Sequence, residues 1–171
     1  MSASSLDTFV SALDTQDVPC ERTTRSSFVE TLETHIRGPT VGVPLGDLGV
    51  ELSETDVTVD PTPAQLKAAH TGVTPASFAI ADYGSVVIPD SSDGAELVSL
   101  FVNRHVVVVE AEDIVPEMEA AFARFGEQFR AHLDSGIIAT GPSATADMGD
   151  LVFGAHGPKE VHVIILETTD E

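Results

Sequence analysis

A continuous β-branched run, His105-Val106-Val107-Val108-Val109, constrains the fold of this chain more than any other feature. Side chains along a strand point alternately to opposite faces, so an unbroken apolar run predicts a strand that is covered on both sides. A second apolar run, residues 161–166, has the same character. Helix-type spacing occurs elsewhere in the chain, and strands that alternate with helices indicate an α/β fold. The sequence therefore predicts a mostly parallel central sheet flanked by helices.

Two regions carry apolar residues at helical spacing. Residues 1–37 are predicted to form an N-terminal helical segment of two short helices, and Arg37-Gly38-Pro39 ends the second. A longer helix is predicted within residues 116–133, where the apolar side chains trace one stripe that we interpret as core packing rather than a cofactor site. The positions in the N-terminal segment are Leu6, Phe9, Val10, Leu13, Phe28, Leu32 and Ile36, and those in the longer helix are Met118, Phe122, Phe125, Phe129 and Leu133.

Shorter elements are predicted between these two regions. Residues 40–45 and 56–59 have the pattern of short strands around a glycine-rich loop. Thr62-Pro63-Ala64-Gln65 is a capping-box start with proline at the first helical position, and it predicts a short helix to about His70. Residues 78–81 and 85–88 are apolar runs separated by a three-residue turn, which predicts an antiparallel hairpin as an exception to the parallel sheet.

The length and hydrophobic content fit one globular unit. A chain of 171 residues of which 42% are hydrophobic can bury a sizeable core, and domains of roughly 100–150 residues are the commonest. Such a chain is too apolar to be disordered. We therefore interpret residues 1–171 as a single α/β domain.

Acidic residues greatly outnumber basic ones, with 28 Asp and Glu against 8 Lys and Arg, for a formal net charge of −20. Lys67 and Lys159 are the two lysines of the sequence. The acidic residues are spread along the whole chain, a pattern typical of proteins from salt-accumulating halophiles. Phosphate contacts require clustered Lys and Arg, so this composition argues against nucleic acid as a partner.

We expect the stability of the protein to rise with salt. The Debye length falls to roughly 3 Å at about 1 M salt, so like-charge repulsion that loosens the fold in dilute buffer is screened. Thermal unfolding in about 0.1 M and about 2 M KCl should give a clearly higher midpoint in the second buffer. An equal or lower midpoint at high salt would contradict the halophile interpretation.

The cysteine content and the apolar pattern indicate the cellular compartment of the protein. Cys20 is the single cysteine, so an internal disulfide or a thiolate cluster within the chain is impossible. The first residues lack a basic region followed by an apolar core, and no apolar run approaches the roughly 20 residues that a spanning helix needs. The sequence predicts a cytoplasmic protein without membrane insertion.

Two motifs near the C-terminus are dense in glycine, proline and polar residues: Gly141-Pro142-Ser143-Ala144-Thr145-Ala146-Asp147 and Gly154-Ala155-His156-Gly157-Pro158. Flanked by apolar runs, they predict a strand, a polar turn, a short helix capped by Ser143, a second turn and a strand. A helix N-terminus at a strand end has free N–H donors and partial positive charge, which suits a small anion. The alternative is that these residues only turn the chain and cap the helix.

The candidate site residues all come from these two motifs. Asp147 and His156 are the candidates for catalysis, because a carboxylate can orient a neighbouring group and imidazole can act as acid, base or donor near neutral pH. Each also has a structural alternative, as a carboxylate or imidazole that fixes a turn by hydrogen bonds. The predicted ligand-binding residues are Gly141, Ser143, Thr145, Asp147 and His156.

Other catalytic and metal patterns are missing from the sequence. The remaining histidines share no metal-ligand spacing, so we predict no metal site. Ser143 has no Gly-x-Ser-x-Gly setting, and the motif around it lacks the lysine of a Walker A loop. His162 alternates with core positions of the last apolar run and is predicted to face a helix layer.

The same two motifs, together with Gly72-Val73-Thr74 and Ala79-Ile80-Ala81-Asp82-Tyr83-Gly84-Ser85, resemble the LUD (lactate-utilisation) domain family, in the branch of lactate-utilisation protein C. The resemblance covers the chain from about Gly72 to Leu166. It implies a fold like that of the sugar-phosphate isomerase and CoA-transferase superfamily. It also implies a role in an iron–sulfur system that oxidises lactate to pyruvate.

The resemblance implies that the iron–sulfur clusters lie in partner proteins, with no cofactor in this chain. Ala144 and Gly149 stand where family members carry a basic or amide residue and an acidic residue, and residues 95–100 lack the usual arginine. These departures favour an accessory subunit that binds iron–sulfur proteins and a small anion. The alternatives are a stand-alone enzyme for an acyl, CoA or phosphorylated substrate, or a degenerate paralogue with a stabilising role.

Overall fold

A computed structural model describes residues 4–90, 92–130, 135–147, 150–154 and 156–168. The helices are α1 (Ser5–Thr15), α2 (Phe28–His35), α3 (Pro63–Ala68), α4 (Ala95–Phe101) and α5 (Met118–Arg130). The strands are β1 (Cys20–Thr24), β2 (Thr40–Gly42), β3 (Thr58–Val59), β4 (Thr71–Pro75), β5 (Phe78–Ile80), β6 (Ser85–Pro89), β7 (Arg104–Glu110), β8 (Ile114–Val115), β9 (Gly136–Thr140), β10 (Ala144–Asp147), β11 (Asp150–Phe153) and β12 (Glu160–Glu167).

A six-stranded parallel sheet forms the centre of the fold, in the order β1-β12-β7-β4-β2-β3. The predicted α/β architecture is confirmed. Along β12, Val163 and Ile165 pack into the cluster on one face, which includes α1 and α4 residues, whereas Ile164 and Leu166 pack into the cluster on the α2 face. This alternation explains why the central strands are continuous apolar runs, since both of their faces are buried.

A second sheet contains the predicted hairpin. Strands β5 and β6 pair antiparallel as expected, but they belong to a separate four-stranded sheet in the order β8-β5-β6-β9. The turn between them ends at Gly84, whose φ of +57° lies in the left-handed region. The hairpin is therefore not an exception within the central sheet, because it forms its own layer against α5.

The N-terminal segment contains a strand that the sequence did not predict. The helices α1 and α2 are confirmed, but β1 lies between them and adds to the edge of the central sheet beside β12. An edge strand is covered on fewer sides than a central one, so its sequence, Cys20-Glu21-Arg22-Thr23-Thr24, carries no apolar run. The prediction that residues 1–37 are helical was therefore incomplete.

Helix α5 is less buried than its apolar stripe predicted. Phe125 is 7% exposed and packs edge-on against Phe78, with ring centroids 5.1 Å apart. Phe122 and Phe129 are 65% and 51% exposed, so the interpretation of the whole stripe as core was wrong. Only a narrow face of the helix, centred on Ala121 and Phe125, contacts the second sheet. Leu133 lies outside the described residues.

The start of α3 follows its predicted capping box. The Thr62 hydroxyl accepts from the Gln65 N–H, and the Gln65 side chain accepts from the Thr62 N–H at 2.9 Å.

Across the described part of the chain, every helix is too short or too polar to cross a bilayer.

Candidate functional site

The two C-terminal motifs contact each other through their backbones. The Ser143 N–H donates to the Pro158 carbonyl at 2.8 Å, and the Ser143 carbonyl accepts from the Gly154 N–H at 2.8 Å. The Ser143 hydroxyl accepts from the His156 N–H at 3.3 Å. A Cβ on Gly157 would lie 3.2 Å from the Ser143 Cβ, a tight contact that shows how closely the two motifs approach. The structure thus brings Ser143 and His156 together.

The helix predicted after Ser143 does not exist. Residues Ala144–Asp147 form β10, which pairs antiparallel with β11. The Ser143 hydroxyl is used by His156 rather than by an N–H on the next helical turn, and the Ser143 N–H is already bonded. The apolar partner segment around Val152 offers a complete ladder, which overrides a local capping signal. The predicted helix N-terminus at Ser143 is therefore absent, and the ligand-binding role of these residues stays a prediction.

Two of the predicted ligand-binding residues are described only by their backbone. Thr145 and Asp147 both lie in β10, paired with Val152 and Asp150 of β11. Their side chains lie outside what the structure describes, so their roles stay predictions.

Of the two positions that depart from the family pattern, Ala144 is exposed, and Gly149 falls outside the described residues.

The junction of the two motifs lies at the amino-terminal edge of the central sheet. The Lys159 N–H, just before β12, donates to the carbonyl of Asn103, just before β7, at 2.8 Å. The turn at Gly141 follows β9, which is an edge strand of the second sheet. The turn therefore does not end a strand of the central sheet, and the hairpin β10–β11 carries the chain from the second sheet to the start of β12.

An open groove of about 450 Å³ borders this junction. His156 is exposed, and Phe101 at the end of α4 is 66% exposed. Exposed apolar side chains that cluster beside polar groups mark contact sites for other molecules. The residues that line the groove are Leu100, Phe101, Val102, Asn103, Gly154, His156 and Gly157.

Gly141 contacts a residue that sequence reasoning missed. The Gln16 side-chain amide donates to the Tyr83 carbonyl at 2.7 Å and to the Ala12 carbonyl at 3.2 Å. A Cβ on Gly84 would lie 2.6 Å from the Gln16 Nε2, and one on Gly141, whose φ is +66°, would lie 3.3 Å from its Oε1. Glycines of two distant motifs therefore enclose one glutamine, which gives Gly141 a structural role.

A crevice that is separate from the groove lies at the carboxyl ends of the central strands. From β2 the chain continues outward to β3, whereas from β4 it continues in the opposite direction to β7, so the sheet has its topological switch point between β2 and β4. Open α/β sheets hold ligands at such a point. The sequence could not reveal it, because strand order is not readable from local patterns. The crevice has a volume of about 360 Å³ and is lined by Leu45, Gly46, Asp47, Leu48, Pro75, Ala76, Ser77, Pro89, Glu110, Asp113 and Arg124.

The guanidinium groups at this crevice are already bonded. Arg124 pairs with Asp113 and donates to the Ser77 carbonyl at 3.2 Å. Arg25 pairs with Glu110. Among the described lining residues, no cation remains for a phosphate or a CoA tail, and Asp47 adds a negative charge. The crevice therefore suits a small ligand rather than a polyanion.

His105 is buried at the centre of the molecule. Its Nε2 lies 2.8 Å from the Thr74 hydroxyl. Burial lowers the pKa of His105 to about 4, so the imidazole is neutral near pH 7. We interpret it as a structural core residue.

Comparison with known proteins places these motifs in one family. The model of the LUD domain matches residues 23–166. The chain has 28% identity to lactate utilization protein C of Bacillus subtilis over 136 residues, which cover 75% of this chain and 52% of that protein. It has 35% identity to lactate utilization protein C of Bacillus licheniformis over 106 residues, which cover 58% of this chain and 43% of that protein.

Two further likenesses extend this comparison. Lactate utilization protein B of Bacillus pumilus is 30% identical over 103 residues, which cover 58% of this chain and 20% of that protein. The fold matches a DUF162 family protein from Deinococcus radiodurans with a TM-score of 0.73 and 19% identity, over 95% of this chain and 96% of that one. The chain thus spans about half the length of the protein C relatives, or less, and a smaller part of protein B.

Proposed function

Because this chain belongs to the LUD domain family, we propose that it acts in a lactate-utilisation system, as an accessory component that binds the iron–sulfur proteins which oxidise lactate to pyruvate. Relatives named lactate utilization protein B and protein C both align with it at 28–35% identity. Two kinds of protein named for lactate utilisation therefore share sequence with this chain, which supports a role in that pathway.

The groove beside His156 is the observation that carries the accessory role. It combines an exposed imidazole with the apolar side chains of Leu100 and Phe101 at the surface. Aromatic side chains are enriched at the energetically important centres of protein interfaces. The adjacent helix α4 also exposes Leu97, which extends the apolar surface. We therefore assign the partner contact to this edge of the central sheet.

The iron–sulfur clusters belong to the partners in this proposal. A cluster held by thiolates needs four cysteines, and this chain has one. Burial, followed by the charge of Asp14, raises the pKa of the Cys20 thiol, which keeps it in the weakly coordinating thiol form. The chain's own residues therefore do not fit such a cluster.

A stand-alone enzyme is the second candidate function. The crevice favours it because open α/β sheets hold their ligands at the topological switch point. Its charge limits the choice of substrate. Arg124 and Arg25 are held by carboxylates, so a phosphorylated or CoA substrate lacks a counter-charge on the described side chains. A small acyl compound is the substrate class that remains compatible with this crevice.

Deletion of the gene tests the proposed pathway. The deletion strain should grow slowly or not at all on lactate, because the oxidation of lactate to pyruvate is interrupted before carbon enters central metabolism. Growth on pyruvate, the product of that step, should be unchanged and serves as the control. Equal growth of the mutant and parent strains on lactate would refute the proposal.

A further inference from the structure

Three side chains that are distant in sequence meet on the α2 face of the central sheet. Glu21 comes from β1, His35 from the end of α2 and His162 from β12. The His35 Nε2 lies 2.6 Å from the Glu21 Oε2, and the rings of His35 and His162 stack with centroids 3.6 Å apart. One potential ligand atom from each residue lies within 4.8 Å of the other two.

His162 is buried without a hydrogen-bond partner among the described residues. It is 4% exposed, and neither its Nδ1 nor its Nε2 is bonded. Buried polar atoms are nearly always satisfied, and an unpaired one costs about 1–3 kcal/mol. A neutral imidazole has one nitrogen with a lone pair and one N–H, so a metal ion beside the second imidazole and the carboxylate would satisfy the first of these two nitrogens.

We propose that Glu21, His35 and His162 bind a divalent transition-metal ion, with water in the remaining position. Two imidazoles and one carboxylate form a donor set that Zn²⁺ uses when it keeps an open coordination site. Metal–ligand bonds of about 2.0–2.2 Å in tetrahedral geometry place the donor atoms about 3.3 Å apart. On binding, the His35 Nε2 and the Glu21 Oε2 therefore move apart from 2.6 Å, the more distant donor atoms move closer, and His35 turns out of its stack on His162. Glu21 is exposed and His35 is half-buried, which gives the ion access from solvent.

The protonation state of the buried ring suits this role. Burial, followed by the charges of His35 and Arg104, lowers the pKa of His162 to about 3. A neutral imidazole keeps the lone pair that a metal needs. Arg104 opposes a cation, but it is paired with Glu160, which offsets its charge.

The spacing of these residues explains why no metal site was predicted from the sequence. His35 and His162 lie in different elements, and Glu21 occupies an edge strand that carried no strand signal. Parallel pairing of β1 with β12 brings the carboxylate beside the second histidine. The site exists only through tertiary structure, so it leaves no local motif.

Titration of the full chain with Zn²⁺ tests the proposal. The protein is first stripped with a chelator and kept in high-salt buffer. It should then bind one Zn²⁺ ion per chain with a higher affinity than its surface carboxylates have for Zn²⁺. Replacing Zn²⁺ with Co²⁺ should give the visible absorption of a nitrogen-ligated ion with low coordination number. Weak binding of several ions, without that absorption, would show that only surface carboxylates hold metal and would overturn the proposal.

Matched variants separate the site from the acidic surface. The Glu21→Gln and His35→Ala variants should each weaken the tight site by at least about 100-fold, beyond the 10–100-fold that changes in the outer shell of a metal site cost. The Glu30→Gln variant, on the exposed side of α2, and the His70→Ala variant should retain it. If His35→Ala fails to fold, the Glu21→Gln variant and the Co²⁺ absorption still decide. Unchanged affinity in the folded Glu21→Gln variant would contradict the proposed ligand set.

Discussion

The Phe28→Ala variant is expected to lose about 3–5 kcal/mol of unfolding free energy, the range typical of a fully buried phenylalanine. Phe28 begins α2 and is 0% exposed. Its ring belongs to the same buried cluster as Leu32 of the same helix and Val106 and Ile164 of the central strands. Removing the ring leaves a cavity that the close-packed sheet cannot fill. Denaturant unfolding at a fixed high salt concentration measures the loss directly.

Phe122→Ala is the matched control for this prediction. It removes the same ring from a helix position that is 65% exposed, so the unfolding free energy should change by no more than about 0.5 kcal/mol. If the two variants lost equal stability, the assignment of α2 to the core and of the outer face of α5 to the surface would be wrong.

The fold was predictable where burial imposes a local pattern. The runs at residues 105–109 and 161–166 became β7 and β12, because strands covered on both faces carry apolar residues at every position. The edge strand β1 was missed because its exposed side chains follow no such pattern. The second sheet was missed because a hairpin predicts pairing between its own strands and says nothing of the layer that they join.

The contact between the two motifs was predictable from the sequence, but the local structure around it was not. Ser143 and His156 lie together as the motifs suggested. The helix after Ser143 was wrong, because the partner strand β11 competes successfully for the backbone of residues 144–147. The contacts of Gln16 and the cluster around His162 depend on pairing between distant segments, which a local reading of sequence does not contain.

The largest functional effect is expected for a change at the groove. Phe101 is 66% exposed beside His156, so replacing it with aspartate should leave the core intact while it removes the proposed aromatic anchor. Loss of an interface hot spot costs at least about 2 kcal/mol, which corresponds to a binding constant weaker by more than tenfold. Phe122→Asp is the matched control, because Phe122 is 65% exposed on a different helix.

Lactate-dependent dye reduction in an extract of the deletion strain is the most direct measurement of the central claim. Adding the purified wild-type protein should restore the rate found in the parent extract, and so should the Phe122→Asp variant. The Phe101→Asp variant, added at a concentration at which the wild-type protein restores well under half of the parent rate, should restore about a tenth of the wild-type effect or less. If the deletion extract oxidised lactate as fast as the parent extract, or if Phe101→Asp restored the rate as well as Phe122→Asp, the account would be contradicted.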